Sequence, residues 1–124
     1  GADGVAEDPL ARLMLSNNDH WSAVAALRDL TSRLLVLGGG GYNPWSVGRL
    51  WSGVWAVLNG IEIPERLPVE AESILRALTW SRRAERNPPA HWQSTLRDHP
   101  NHGHIREDVR KRVSVLSARL LPAA

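Results

Sequence analysis

Tyr42 is the only tyrosine of the chain, and it stands directly after four consecutive glycines, Gly38 to Gly41. A phenol with an ordinary pKa of ~10 stays protonated at neutral pH, so it can donate a hydrogen bond to a developing oxyanion. The alternative is a half-buried tyrosine that caps a sheet edge. The glycines let the backbone bend and let another molecule approach closely. Asp3 is the second candidate, either as a helix cap or as a carboxylate ligand for a metal.

Other chemistry is weaker. A glycine loop ahead of a helix can cradle phosphate. The dinucleotide fingerprint fails here, since counting from Gly38 it needs glycine where Asn43 stands, and no Gly-Lys-Ser/Thr follows for a P-loop. His99, His102 and His104 cluster in a polar loop, but their spacing matches no standard zinc pattern. His20 reads as a helix-start residue.

The elements that must position these groups follow from the patterning. Asn17, Asn18 and Asp19 offer caps for a helix over about 19–32, with Trp21, Val24, Leu27 and Leu30 at helical spacing. Leu34 to Leu37 reads as a buried strand feeding the glycine loop. The carboxyl end of such a strand is where open α/β sheets bind ligands. Asn43-Pro44 starts a helix that runs to about Leu58 and ends at Asn59-Gly60. Its wide apolar face predicts deep burial. Asp8 could cap a short helical turn. Residues 69–78 read as a weaker helix and Ala77 to Pro100 as irregular chain. The last helix, about 104–120, carries an apolar stripe of Ile105, Val109, Val113, Leu116 and Leu120. One strand cannot make a sheet, and these helix faces have little to bury against. Both facts predict a parallel sheet upstream of Gly1.

Composition narrows the class. The chain has 124 residues, 43% of them hydrophobic and 23% charged, which fits one globular domain at most. It has no cysteine, so disulfides and thiolate chemistry are excluded and any metal must use Asp, Glu or His. No stretch approaches the ~20 apolar residues needed to span a bilayer, so no membrane association is expected, and the default location is cytoplasmic. Residues 1–75 hold five Arg and nine Asp/Glu, a balance of −4, whereas residues 76–124 hold ten Lys/Arg and four Asp/Glu, a balance of +6. Without aromatic interleaving or a nucleic-acid motif, this reads as a solvated helix face, and no nucleic-acid partner is expected. Of the six tryptophans, most read as core, with Trp45 and Trp92 expected to be the more exposed.

The order Gly1-Ala2-Asp3, Asp8, Leu10, His20, Leu37 through Tyr42, then Val47-x-Arg49-x-Trp51, resembles the histone deacetylase superfamily. The likeness continues through Ile63-Pro64-Glu65-x-Leu67-Pro68 to Leu120-Leu121-Pro122. Asn43-Pro44-Trp45 is typical of its bacterial acetoin-utilisation branch. The resemblance implies an α/β fold: the C-terminal part of an arginase/deacetylase-like parallel-sheet domain, mostly helical here, with one strand at about 34–37. Residues 1–124 would form the C-terminal segment of one deacetylase domain, its N-terminal two-thirds absent. Asp3 then matches one of three zinc ligands and Tyr42 the catalytic tyrosine. Gly39, Gly40 and Gly41 line the acyl channel. The remaining zinc ligands, an Asp-x-His pair, and the His-His acid–base pair belong upstream. The eukaryotic class I arginines that bind an inositol phosphate are replaced here by Pro9 and Trp45.

The expected activity is therefore Zn2+-dependent removal of acetyl groups from acetyl-lysine or a small acetylated amine, with the segment inactive alone. Two further readings stand beside it. One is a partner-binding module that can form oligomers through exposed apolar faces, and the other is a phosphate-binding α/β fragment.

Overall fold

The computed structural model describes residues 1–10, 13–81, 88–100 and 103–120. A 3-10 turn at Ala2–Gly4 is followed by helices α1 (Asn17–Arg28), α2 (Pro44–Leu58), α3 (Val69–Ala77), α4 (His91–Ser94) and α5 (Glu107–Leu120).

The start of α1 differs from expectation. Ser16 is the cap: its hydroxyl accepts from the Asp19 N–H at 3.2 Å, and Asp19 Oδ2 accepts from the Ser16 N–H at 2.7 Å. This reciprocal box satisfies two orphan donors at once. Asn17 is freed for tertiary work and is fully buried. The helix stops at Arg28, whose guanidinium donates to the Val57 carbonyl at 2.7 Å, so Leu30 lies outside it and is 77% exposed. For α2 the expected limits hold. Asn43 Oδ1 accepts from the Trp45 and Ser46 N–H groups at 3.0 and 3.4 Å, Pro44 opens the helix, and Gly60 beyond its end has φ +66°.

The core lies between α1, α2 and the Ala2–Gly4 turn. Ala2, Val5, Trp21, Leu50, Val54, Ala56 and Ile63 form it, with Leu96 packed against it. The Trp21 indole N–H donates to the Leu50 carbonyl at 3.0 Å. Only part of the wide α2 face is buried, since Trp55 remains 60% exposed.

Trp45 and Trp92 are not exposed as expected: they are 1% and 5% accessible. Their rings lie 5.8 Å apart, and Trp45 meets Trp80 edge-on at 6.1 Å. The Trp45 indole N–H also donates to the Leu75 carbonyl at 2.8 Å, joining α2 to the end of α3. Paired aromatic rings bury large apolar area, and the Trp45 N–H is satisfied as a core indole requires. The expected irregular stretch contains α4 and buried Trp92, while residues 82–87 fall outside the described residues.

The expected strand at 34–37 does not form. Those residues carry no ladder, and Leu35 and Leu37 are 81% and 75% exposed. Among the described residues the only sheet-type pairing is an isolated parallel bridge, Val5 with Leu15. A strand exists only against a neighbour that takes its N–H and C=O groups. The same logic governs α5, which buries none of its residues and leaves its apolar stripe in solvent. Arg106, just before α5, pairs with Asp108, and Arg110 lies near Glu107. Among the described residues, no helix is long and apolar enough to cross a membrane.

Candidate active site

The Ala2–Gly4 turn and the glycine loop meet directly. The Ala2 N–H donates to the Gly39 carbonyl at 2.9 Å. Gly40 has φ +65°, and a Cβ there would fall 2.1 Å from Asp3 Oδ1 and 2.7 Å from Asp3 Cγ. Gly41 has φ +92°, and a Cβ there would fall 2.6 Å from Val47 Cγ2. These two positions need glycine for two reasons, the left-handed backbone and the close approach. The Asp3 carboxylate therefore lies against the loop that presents Tyr42.

Tyr42 is 52% exposed, and among the described residues no sheet edge forms beside it for the half-buried alternative to cap. Its backbone is held firmly. The Tyr42 N–H donates to Asp8 Oδ2 at 2.6 Å, while Asp8 Oδ1 accepts from the Leu10 N–H at 2.9 Å. Asn43 Nδ2 donates to the Glu7 carbonyl at 3.1 Å. Asp8 is 5% accessible and caps no described helix. It braces the Tyr42 loop instead, a role invisible in local spacing because its partner lies 34 positions away. His20 places its ring nitrogens 3.2 Å from the Ser16 carbonyl and 3.1 Å from that of Gly1, tying α1 to the turn that carries Asp3.

A second polar cluster was not foreseen. Arg49 and Asp98 form an ion pair at 2.6 Å, with side chains 0% and 4% accessible. Arg49 also donates to the carbonyls of Thr95, Leu96 and Arg97, and Asp98 Oδ2 accepts from the Asn17 N–H at 2.6 Å. Glu7 and His91 adjoin this pair, with His91 Nε2 3.8 Å from Glu7 Oε1. Burial raises the Glu7 pKa, and the Asp98 charge adds to the effect. Burial lowers the His91 pKa, helped by the Arg49 charge. Of the three histidines expected to cluster, His102 lies outside the described residues, and His99 instead packs on His91 with ring centroids 5.1 Å apart.

Residues 1–58 match the histone deacetylase domain model. Over 68 residues, 55% of this chain, the sequence is 38% identical to putative histone deacetylase 2 of Caenorhabditis elegans and 40% identical to histone deacetylase 3 of Oryza sativa subsp. japonica. The matched stretch spans 13% of each of those relatives. The fold is similar over 93% of this chain to the crystal structure of an HDAC homolog from Aquifex aeolicus, with a TM-score of 0.79 and 30% identity. The same values hold for an HDAC homolog complexed with SAHA. This chain covers 31% of that solved chain. The structural likeness thus extends beyond residue 58, through the helices that pack on the matched segment.

Deacetylases of this family depend on zinc, and Asp3 offers the kind of oxygen donor that zinc accepts. One carboxylate is an incomplete set, and Asp3 belongs to no group of three metal-capable side chains among the described residues.

Proposed function

We propose that this chain is the carboxyl-terminal segment of a zinc-dependent deacetylase domain and that it contributes Asp3 as one metal ligand and Tyr42 as the oxyanion donor. The observation that carries the reading is the approach of Gly40 to Asp3, where a Cβ would fall 2.1 Å from the carboxylate oxygen. The Asp3 carboxylate lies beside the glycine loop that presents Tyr42, and this proximity supports a joint site.

In this reading Tyr42 holds its phenolic proton toward the carbonyl oxygen of an acetylated amine. Its donation strengthens as that oxygen gains charge. Asp8 fixes the Tyr42 backbone, and Gly39, Gly40 and Gly41 leave a side-chain-free wall along which an acyl group can pass. Zn2+, when bound, supplies Lewis-acid polarisation and an activated water. The substrate is acetyl-lysine or a small acetylated amine. Asn43-Pro44-Trp45 favours the bacterial acetoin-utilisation branch. The exposed Leu34–Leu37 segment and the α5 stripe are read as faces covered by the rest of such a domain.

The test is Tyr42→Phe in a protein carrying the complete domain. Turnover should fall by ~10²–10³ with zinc content unchanged, the loss expected for one oxyanion donor. Unchanged turnover would remove Tyr42 from the mechanism. The 124 residues alone should not hydrolyse acetyl-lysine, and zinc-dependent activity from them would refute the segment reading.

A further inference from the structure

We propose that Glu7, His91 and Asp98 form a binding site for a borderline divalent cation such as Zn2+ or Mn2+. One ligand atom from each residue lies within 4.8 Å of the others. Metal bonds of about 2.0–2.2 Å place donors roughly 3–3.5 Å apart, so small side-chain rotations complete the set. A cavity of about 240 Å³ opens onto them, lined also by Ser16 and His99. The ligand types, one imidazole and two carboxylates, suit zinc and manganese better than a soft or a purely oxygen-seeking ion.

The charge arrangement points the same way. Arg49 is committed to Asp98 and to backbone carbonyls, so the Asp98 charge is met. Glu7 feels the Arg49 charge, but its carboxylate makes no ion pair with it. The Trp92 indole N–H lies near the Glu7 carboxylate and favours its charge, but Glu7 Oε2 is buried without a hydrogen bond of ordinary geometry, and Oε1 faces His91 at 3.8 Å, too far for one. A carboxylate in that position beside a second carboxylate is costly unless a cation joins them. Each carboxylate oxygen has two lone pairs, so Asp98 can hold Arg49, the Asn17 N–H and a metal together. His99 stands close enough to His91 to serve as a further ligand after rotation.

The site shares no side chain with Asp3 or Tyr42, and the inference stands whether or not the deacetylase reading does. Occupied, it would pin the 91–99 segment to the loop whose Glu7 carbonyl and Asp8 carboxylate hold Asn43 and Tyr42.

The experiment is calorimetric titration of the metal-stripped chain with Zn2+ and with Mn2+, for the parent sequence, Glu7→Gln, His91→Gln and Asp3→Asn. Circular dichroism of each protein establishes that it is folded. One saturable site is expected, weakened by at least about tenfold in Glu7→Gln and in His91→Gln, since even outer-shell changes at metal sites cost 10–100-fold. Asp3→Asn should bind as the parent does. Mn2+ should broaden the imidazole proton resonances of His91 and His99 before those of His20. Absence of saturable binding overturns the proposal. So does binding indifferent to both Glu7→Gln and His91→Gln, or binding lost only in Asp3→Asn.

Discussion

Gly53→Ala has opposite predicted signs depending on whether α1 and α2 pack as described. Gly53 is in the interior of α2, where glycine is about 1 kcal/mol worse than alanine, so helix propensity alone predicts stabilisation. The tertiary contact predicts the reverse. A Cβ at Gly53 would fall 2.1, 2.3 and 2.4 Å from Trp21 Cε2, Cζ2 and Nε1. Carbon contacts settle near 3.5–4.0 Å, so the indole must retreat by roughly 1.5 Å. Trp21 is 5% accessible and has little room to move. Overpacking of this kind costs about 1–3 kcal/mol. Moving the indole also strains its 3.0 Å hydrogen bond to the Leu50 carbonyl, at about 1 kcal/mol. After the propensity gain, net destabilisation is about 1–3 kcal/mol. Urea unfolding followed by tryptophan fluorescence measures it directly. Stabilisation by Gly53→Ala would refute the helix contact, and Trp21→Leu in the Gly53→Ala background should recover part of the loss.

Other changes test the remaining parts. Gly40→Ala places a side chain at φ +65° against Asp3 and should cost at least about 1–2 kcal/mol in a thermal or urea melt; an unchanged midpoint would show that the loop and Asp3 do not touch. Asp98→Asn leaves Arg49 without its buried counter-charge and should destabilise by about 3–5 kcal/mol in a urea melt, and an unchanged midpoint would show that the pair is not buried. His91 has a folded pKa below 6.5, so the unfolded chain takes up its proton first and stability is lost as pH falls through 6.5 toward the folded value. Glu7 has a raised folded pKa, so its contribution is full below 4.5 and is lost as pH rises toward the folded value. His91→Gln should flatten the loss just below pH 6.5, and an unchanged profile would remove His91 as its source.

The legible part of the fold was local. Asn43-Pro44 and Asn59-Gly60 bound α2 because caps act within a turn of the helix end. For α1 the Asn residues misled, since Ser16 with Asp19 makes the reciprocal box and Asn17 is drawn into a buried contact with Asp98 and Leu96. The strand reading of Leu34–Leu37 followed from apolar type alone, yet a ladder needs a partner that the described residues do not supply. Trp45 and Trp92 were misplaced because their burial depends on each other and on α3, which no periodicity records.

Residue types and short spacings determined the candidate chemistry: a lone tyrosine after glycines, an acid after Gly-Ala, and the family likeness that joins them. Tertiary structure alone decided which groups meet. It set Gly40 against Asp3 and made Asp8 the brace of Tyr42. It also gathered Glu7, His91 and Asp98 from opposite ends of the chain around buried Arg49. Caps, turns and periodicity act over a few residues and can be read along the chain. Buried charge must find its partner across the fold, and only packing selects which one.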